Sequence, residues 1–168
     1  MEEQLRHAVA ILMEGGVIAY PTDTVYGLGA DAFNEEAVGR IYRIKQRLLS
    51  QPLSLLLAER SDLSTAADTI SGTAELLAQH FWPGGLTLIV HKSSKIPLWI
   101  TAGGDTVAVR VPNHPVALEL IRQLGKPLIG TSANLSGSPN LTTAREVGEQ
   151  LGDTIDFVLD GGVCPGGT

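Results

Sequence analysis

Apolar residues recur along the chain with two different spacings, and these spacings predict helices and strands. Between residues 5 and 13 they lie three or four positions apart, as on one face of a helix, before a glycine pair. Residues 17–20 are instead an unbroken apolar run closed by Pro21, which predicts a buried strand. Residues 106–111 alternate between valines and other residues, which predicts a strand with one apolar face.

Further segments continue this mixture of element types without a repeat or a linker. Caps and apolar stripes together predict four more helices, at residues 34–45, 73–81, 115–124 and 143–152. Short apolar runs predict four more strands, at residues 52–58, 86–90, 128–130 and 155–159. The prediction is a single α/β domain built around a twisted mixed sheet with flanking helices, with its strand order left open.

Composition and charge are those of an ordinary globular protein. Of the 168 residues, 43% are hydrophobic, and the formal net charge of −6 disfavours wide contact with nucleic acid. The single Cys164 cannot form an internal disulfide. The acidic N-terminus is unlike a signal peptide, and no apolar run approaches the ~20 residues that span a membrane. We therefore expect a cytoplasmic protein that has no membrane partner.

A polar segment follows the first predicted strand. Residues 20–29 read YPTDTVYGLG, so Thr22, Asp23 and Thr24 come directly after the end of that strand. The carboxyl ends of strands form the edge at which open α/β sheets usually bind ligands. Alternatively, these side chains hydrogen-bond to local backbone groups in a turn.

Four of the 12 lysines and arginines cluster around the end of one predicted helix: Arg40, Arg43, Lys45 and Arg47. Lys45 and Arg47 are the two nearest to the helix end, and two cations this close are costly unless they are solvated or paired with an anion. A polyphosphate would pair with both, because lysine acts as a point charge and arginine as a planar fork. The alternative is a solvated helix end whose cations complement the helix dipole.

Two further polar features complete the candidate chemistry. Residues 131–137, TSANLSG, follow a predicted strand, and their hydroxyl and amide side chains suit phosphate, ribose or an amino acid, or simply a turn. Arg110 lies on the polar face of its strand, where it either pairs with an anion such as a substrate carboxylate or guards an edge strand. No nucleophile elbow, Walker loop or His-Glu-x-x-His zinc motif occurs in the sequence, so we expect catalysis by positioning and charge neutralisation.

Taken together, five segments resemble the signature series of the YrdC/Sua5 family. They are residues 20–29, Lys45-x-Arg47, Phe81-Trp82-Pro83-Gly84 with Leu86-Thr87, residues 107–112 (VAVRVP) and Ser132-x-Asn134. The resemblance implies a twisted α/β sheet with a concave, basic cavity. It also implies a nucleotidyltransferase that makes threonylcarbamoyl-AMP and pyrophosphate from L-threonine, bicarbonate and ATP with Mg2+. That product serves the N6-threonylcarbamoyladenosine modification at tRNA position 37 (t6A37), and a separate partner protein transfers the group to tRNA.

The same resemblance implies a role for each matching polar residue. Thr22 would contact L-threonine, and Arg110 would pair with its carboxylate. Lys45 and Arg47 would be the catalytic cations that neutralise the ATP phosphates and the developing carbamate. The remaining nucleotide-binding residues would be Thr106, Ser132 and Asn134, and Mg2+ would arrive with ATP rather than on dedicated protein ligands.

The sequence departs from the family pattern at two places. After Arg47 the family often has proline and then a basic or polar residue, whereas residues 48–51 here are Leu-Leu-Ser-Gln. Family members also usually continue past the point where this sequence ends, with a serine/threonine-rich strand and a later arginine. We therefore expect residues 1–168 to form a short YrdC-like domain that lacks the usual closing segment.

Other functions fit parts of the pattern. A module that binds double-stranded RNA or tRNA without catalysis would use the same basic surface. A carbamoyl-adenylate enzyme of the hydrogenase-maturation type shares the domain, but its acylphosphatase and zinc-finger segments do not occur in this sequence. A paralogous group keeps Lys-x-Arg and Ser-x-Asn yet differs around residues 20–29, so the match at residues 24–27 favours the synthase.

Overall fold

The computed structural model describes residues 1–166, so the last two residues of the expected 1–168 domain lie outside it. The helices are α1 (Glu2–Met13), α2 (Glu35–Lys45), α3 (Leu63–Ala66), α4 (Gly72–Phe81), α5 (Leu98–Thr101), α6 (Pro115–Leu124) and α7 (Ala144–Leu151), and Arg60–Asp62 form a 3-10 turn. The strands are β1 (Ile18–Tyr20), β2 (Gly27–Gly29), β3 (Ser54–Leu56), β4 (Leu88–His91), β5 (Thr106–Arg110), β6 (Leu128–Ile129), β7 (Thr131–Ser132) and β8 (Phe157–Val158).

The predicted α/β class with mixed strand pairing and flanking helices is confirmed, but the strands form two sheets rather than one. The first sheet has the order β7-β2-β1-β8, and the second has the order β4-β5-β3-β6. Each sheet combines one parallel pair, β1 with β8 or β3 with β5, with two antiparallel pairs. Every predicted helix and strand is present, although most strands are shorter than the apolar runs that predicted them.

The division into two sheets occurs at Gly130, inside the predicted strand 128–130. The chain leaves the second sheet at the end of β6 and enters the first sheet as β7. The amide of Gly130 donates to the carbonyl of Ser54 at 2.9 Å, and a Cβ on Gly130 would lie 2.6 Å from the Leu56 side chain. The close approach requires glycine, whereas apolar spacing alone does not separate one strand from two short ones.

Strand β2 lies in a segment for which the sequence predicts only a loop. A Cβ on Gly27 or Gly29 would lie 2.8 or 2.6 Å from the ring of the fully buried Tyr20. The Tyr20 hydroxyl donates to the carbonyl of Ile129 at 2.9 Å and so links the two sheets. Glycine is depleted in strands, so Gly27 and Gly29, which make room for this ring, also explain why the sequence does not predict a strand here.

Two apolar clusters form the core. The larger one contains the buried stripe of α2 and the valines of β5, and the smaller one joins α1 and α6 to Ile18, Tyr20 and Leu128. Capping residues begin the helices as predicted: Asn34 accepts from the amide of Ala37 at 3.0 Å, and Thr143 with Glu146 forms a capping box. Within residues 1–166, no helix is both long enough and apolar enough to cross a membrane.

Strand pairing brings three of the predicted polar segments together. β2 runs antiparallel to β7 with Gly27 opposite Ser132, so the loop that precedes β2 lies beside the residues that follow β7. The amide of Ala133 donates to the carbonyl of Tyr26 at 2.8 Å and fixes this arrangement. The third polar segment is the end of α2. Its last helical residue is Lys45, and the next residue, Gln46, has a left-handed conformation (φ 55°) that stops the helix.

Candidate functional site

Lys45 is the last residue of α2 and joins that helix to the segment after β7. Its side chain is 2% exposed, and its ammonium donates to the carbonyl of Ser132 at 2.5 Å. It also donates to the carbonyl and the side-chain Oδ1 of Asn134, at 2.9 and 3.0 Å. The structure therefore brings together Lys45, Ser132 and Asn134, three of the residues that the sequence predicts at one site.

The positive charge of Lys45 is held by neutral oxygens. Burial, together with the nearby guanidinium of Arg47, lowers the pKa of Lys45 to about 8. Among residues 1–166, no carboxylate forms a salt bridge with Lys45 or Arg47. Two cations that repel each other without a protein counter-ion are a strong indication of an anion-binding site.

The guanidinium of Arg47 has one nitrogen that is hydrogen-bonded to the protein and another that is buried without a partner. Its Nη2 donates to the carbonyl of Pro52 at 2.8 Å, whereas its Nε is buried and has no hydrogen-bond partner in the described structure. A buried donor without an acceptor costs free energy that a bound anion would recover. The loop that follows Arg47 is held against α2 by the Tyr42 hydroxyl, which donates to the carbonyl of Gln51 at 2.7 Å.

Ser132 and Asn134 form a hydrogen-bonded pair beneath the Lys45 ammonium. The Ser132 hydroxyl donates to Oδ1 of Asn134 at 2.6 Å, and the amide nitrogen of Asn134 donates to the carbonyl of Ser138 at 2.6 Å. Asn134 is 4% exposed, so its side chain is committed to this network. Asn134 therefore orders the segment, while the half-buried Ser132 lies closer to solvent.

Arg110 closes strand β5 and pairs with a carboxylate from the loop after β1. Its guanidinium forms an ion pair with Asp23, in which the two side chains are only 14% and 18% exposed. Its Nε donates to the carbonyl of Gly84 at 2.8 Å, and its Nη1 reaches the Thr24 hydroxyl at 3.4 Å. Because β5 lies between β4 and β3, the alternative that Arg110 guards a sheet edge is wrong.

Thr22 is turned toward its own loop. Its side chain is 5% exposed, and its hydroxyl donates to the carbonyl of Val25 at 2.6 Å and accepts from the amide of Thr24 at 3.1 Å. These bonds are those of the local turn that the sequence also allows. A direct contact between Thr22 and a ligand stays a prediction.

The sequence alone predicts no specific role for Asp23 or Thr24, although both lie in the segment that carries the resemblance.

The loop that contains Thr22 is covered by the last described residues of the chain. The Tyr26 hydroxyl donates to the carbonyl of Gly162 at 2.7 Å and accepts from the amide of Gly161 at 3.2 Å. Desolvation raises the pKa of Tyr26 to about 12, so the phenol stays protonated. The amide of Gly166 donates to the carbonyl of Thr24 at 2.7 Å. We call residues 161–166 the strap.

Thr106, Arg40 and Arg43 are not gathered into this cluster. Thr106 is exposed at the start of β5, about 13 Å along the same strand face from Arg110 at ~3.3 Å per residue. Arg40 pairs with Asp156, whose pKa is lowered mainly by this hydrogen bond. Arg43 is exposed on the last turn of α2. Only Lys45 and Arg47, of the four cations near this helix end, lie at the candidate site.

A cavity of about 790 Å3 opens elsewhere on the molecule, between the segment after β3, α4 and α6. Its lining includes Glu59, Arg60, Glu75, Trp82, Leu118 and Arg122. It carries charges of both signs, and none of the sequence-predicted site residues lines it. The candidate site is therefore identified by charge and hydrogen bonding at the meeting point of three loops, and the basic, concave cavity stays a prediction for that face.

Comparison with known proteins gives consistent matches. The threonylcarbamoyl-AMP synthase of Pyrococcus abyssi is 45% identical over 161 residues, which cover 96% of this chain and 47% of that protein. The enzyme of the same name from Vibrio cholerae serotype O1 is 45% identical over 95% of this chain and 86% of its own length. The crystal structure of P. abyssi Sua5 complexed with L-threonine superimposes with a TM-score of 0.94 at 44% identity, covering 98% of this chain and 48% of that one.

The chain thus spans about half the length of the P. abyssi relative. A family model described as "Telomere recombination" matches residues 10–168, nearly the whole sequence. The match includes all five segments that carry the resemblance, and the fold agrees with it throughout the described range. The chain belongs to the Sua5/YciO/YrdC family.

Proposed function

We propose that this protein is an L-threonylcarbamoyladenylate synthase, which forms threonylcarbamoyl-AMP and pyrophosphate from L-threonine, bicarbonate and ATP. The observation that carries the proposal is the pair Lys45 and Arg47, two neighbouring cations without a carboxylate partner among residues 1–166. A triphosphate supplies the missing negative charge and an acceptor for the buried Nε of Arg47. Relatives named threonylcarbamoyl-AMP synthase, at 45% identity, support the choice of reaction.

Charge neutralisation is the chemistry that this site is suited to provide. When the carbamate of threonine attacks the α-phosphate of ATP, two anions must approach each other, and cations at the reacting centre lower that barrier. Lys45, fixed by three hydrogen bonds, offers a preorganised positive charge that needs no rearrangement during the reaction. No protein nucleophile is required, and holding the substrates in register supplies a large part of the remaining acceleration.

Arg110 is the proposed partner of the threonine carboxylate, with Thr22 in contact with the same substrate. Arg110 is partly buried and held by Gly84 and Thr24, so its guanidinium is oriented before a ligand arrives. The P. abyssi relative with L-threonine bound supports threonine as the amino acid. Ser132 and Asn134 complete the proposed nucleotide site beside Lys45, and Thr106, which lies outside that cluster, stays a prediction for another part of the same nucleotide.

Mg2+ is proposed to enter with ATP. The hydroxyl of Ser132 is the kind of oxygen donor that Mg2+ accepts, whereas the Asn134 oxygen is shared with Lys45 and Ser132. When bound, Mg2+ would stabilise the negative charge of the leaving pyrophosphate. The proposal further places the product in t6A37 synthesis in the cytoplasm, where a tRNA-modifying partner protein would use it.

The test measures pyrophosphate release from Mg-ATP, with and without L-threonine and bicarbonate. We expect release that requires both co-substrates, and we expect Arg47→Ala to abolish it. The matched control is Arg43→Ala, which removes the same charge from an exposed position on α2, the helix that precedes Arg47, and should keep near-normal activity. No co-substrate-dependent release, combined with RNA binding that weakens steeply with salt, would favour the RNA-binding alternative.

A further inference from the structure

Asp23 is a partly buried carboxylate to which the proposed reaction assigns no role. Among residues 1–166, its side chain hydrogen-bonds only to Arg110, through one of its two oxygens. The Asp23 side chain is 18% exposed, so part of its carboxylate is accessible from solvent. An Arg110–Asp23 pair therefore offers a ligand one positive and one negative group side by side.

Arg110 does not depend on Asp23 for its position. Its Nε is fixed by the Gly84 carbonyl, and its Nη1 is close to the Thr24 hydroxyl. A ligand carboxylate can therefore take the place of Asp23 on the guanidinium without releasing Arg110 from the protein. Asp23 would then be left next to that ligand carboxylate and would need a cationic partner of its own.

An α-amino acid carries both required charges on one carbon atom. Its carboxylate satisfies Arg110, and its ammonium group, one bond away from the carboxyl-bearing carbon, satisfies Asp23. Two other titratable groups respond to the charge of Asp23: the imidazole of His114, just before α6, whose pKa is lowered by burial, and the thiol of Cys164, whose pKa is raised by burial. Burial favours the neutral form of both groups, so it adds no charge that would oppose an ammonium group at Asp23. The ion pair of the free protein is thus the charge complement of a zwitterion.

We infer that Asp23 recognises the α-ammonium group of the substrate, so that Arg110 and Asp23 together select an α-amino acid over a simple carboxylic acid. The inference rests on the proposed function, which places the substrate carboxylate on Arg110. It adds a residue that determines which class of compound enters the site. The free-state ion pair also keeps Arg110 from binding unrelated carboxylates, because such a ligand would leave Asp23 without a cation.

The test compares three ligands by calorimetry on the full chain: L-threonine, 2,3-dihydroxybutanoate, which lacks the ammonium group, and L-threoninol, which lacks the carboxylate. On the unaltered protein, L-threonine should bind about tenfold or more tightly than 2,3-dihydroxybutanoate, which corresponds to one partly buried ion pair. L-Threoninol should also bind more weakly than L-threonine, because it leaves Arg110 paired with Asp23.

The variant Asp23→Asn keeps the shape and can still accept a hydrogen bond from Arg110. It should lose about tenfold in affinity for L-threonine, while its affinity for 2,3-dihydroxybutanoate stays the same or rises. If Asp23→Asn discriminates between these two ligands as well as the unaltered protein does, the role of Asp23 is wrong. A melting curve shows whether the variant is folded, and the ligand series on the unaltered protein tests the inference independently of it.

Failure of this inference is distinguishable from failure of the proposed function. If the unaltered protein releases pyrophosphate with threonine and bicarbonate but binds 2,3-dihydroxybutanoate as tightly as L-threonine, only the role of Asp23 is lost. If it neither binds L-threonine nor releases pyrophosphate, the proposed function and the inference are overturned together.

Discussion

The ammonium of Lys45 donates to both oxygens of Asn134, to the carbonyl at 2.9 Å and to Oδ1 at 3.0 Å, although 89 positions separate the two residues. An amide oxygen binds the ammonium without cancelling its charge. An aspartate at the same place would bind it as well and would neutralise it. The identity of residue 134 therefore decides whether the buried cation is available to an anionic ligand.

Asn134→Asp should weaken binding of Mg-ATP by about tenfold or more, since an added carboxylate in contact with Lys45 raises the pKa of that lysine and cancels its field. Calorimetric titration measures the affinity. Asn140→Asp is the matched control, because it adds the same charge at an exposed neighbour whose side chain is 3.4 Å from that of Asn134. Equal affinity in Asn134→Asp and the unaltered protein would contradict the proposed role of the Lys45 charge.

Mg-ATP affinity should depend on pH through Lys45. Its pKa of about 8 in the free protein is below the ordinary lysine value of 10.5, and a bound polyphosphate would raise it again because the anion favours the ammonium form. Affinity should therefore be highest below pH 8 and fall as pH rises above 8, by up to about tenfold per unit. Calorimetric measurement of the Mg-ATP affinity from about pH 7 to about pH 9.5, a range that spans the titration of this lysine, tests this. Lys45→Met should bind more weakly and show no such slope.

Residue type and local spacing predict the elements of the fold and the cationic pair of the site. They do not predict the pairing partners, because β7 is defined by its register with Gly27 and Leu28 of β2 rather than by its own residues. The Arg110–Asp23 pair is equally hidden, since 87 positions separate its members. The commitment of Thr22 to the turn became visible only with its hydrogen bonds, because a threonine hydroxyl suits a ligand and a turn equally well.

Gly29→Ala should destabilise the fold by about 1–3 kcal/mol, since the new methyl group would lie 2.6 Å from the Tyr20 ring and force it to move. Urea unfolding measures the change. Gly148→Ala is the matched control and should have the opposite effect. An added Cβ on this glycine of α7 would meet no atom of another element within 4 Å, so alanine should stabilise the helix by about 0.4–1 kcal/mol. Similar effects of the two changes would show that the ring does not constrain β2.

Tyr26→Phe should loosen the strap from the loop that holds Asp23 and Thr22, leaving the hydrogen bond between Gly166 and Thr24 as a remaining link. The change removes the hydroxyl that donates to Gly162 at 2.7 Å and accepts from Gly161 at 3.2 Å. We expect a loss of about 0.5–1.5 kcal/mol in the free energy of unfolding, because the strap loses its hydrogen bonds to the buried Tyr26 hydroxyl. Calorimetry should also record weaker L-threonine binding, whereas Mg-ATP binding should change little, because Lys45 and Arg47 do not contact the strap.

Tyr42→Phe provides the converse of this experiment. This variant also removes one tyrosine hydroxyl. The Tyr42 hydroxyl donates to the carbonyl of Gln51 at 2.7 Å and so holds the loop that follows Arg47 in place. Here Mg-ATP binding should weaken while L-threonine binding is kept, because the loosened loop no longer holds the Arg47 guanidinium in place. If either variant weakens both ligands equally, the two loops do not act as separate subsites, and the division of the site into a phosphate-binding and an amino-acid-binding half is wrong.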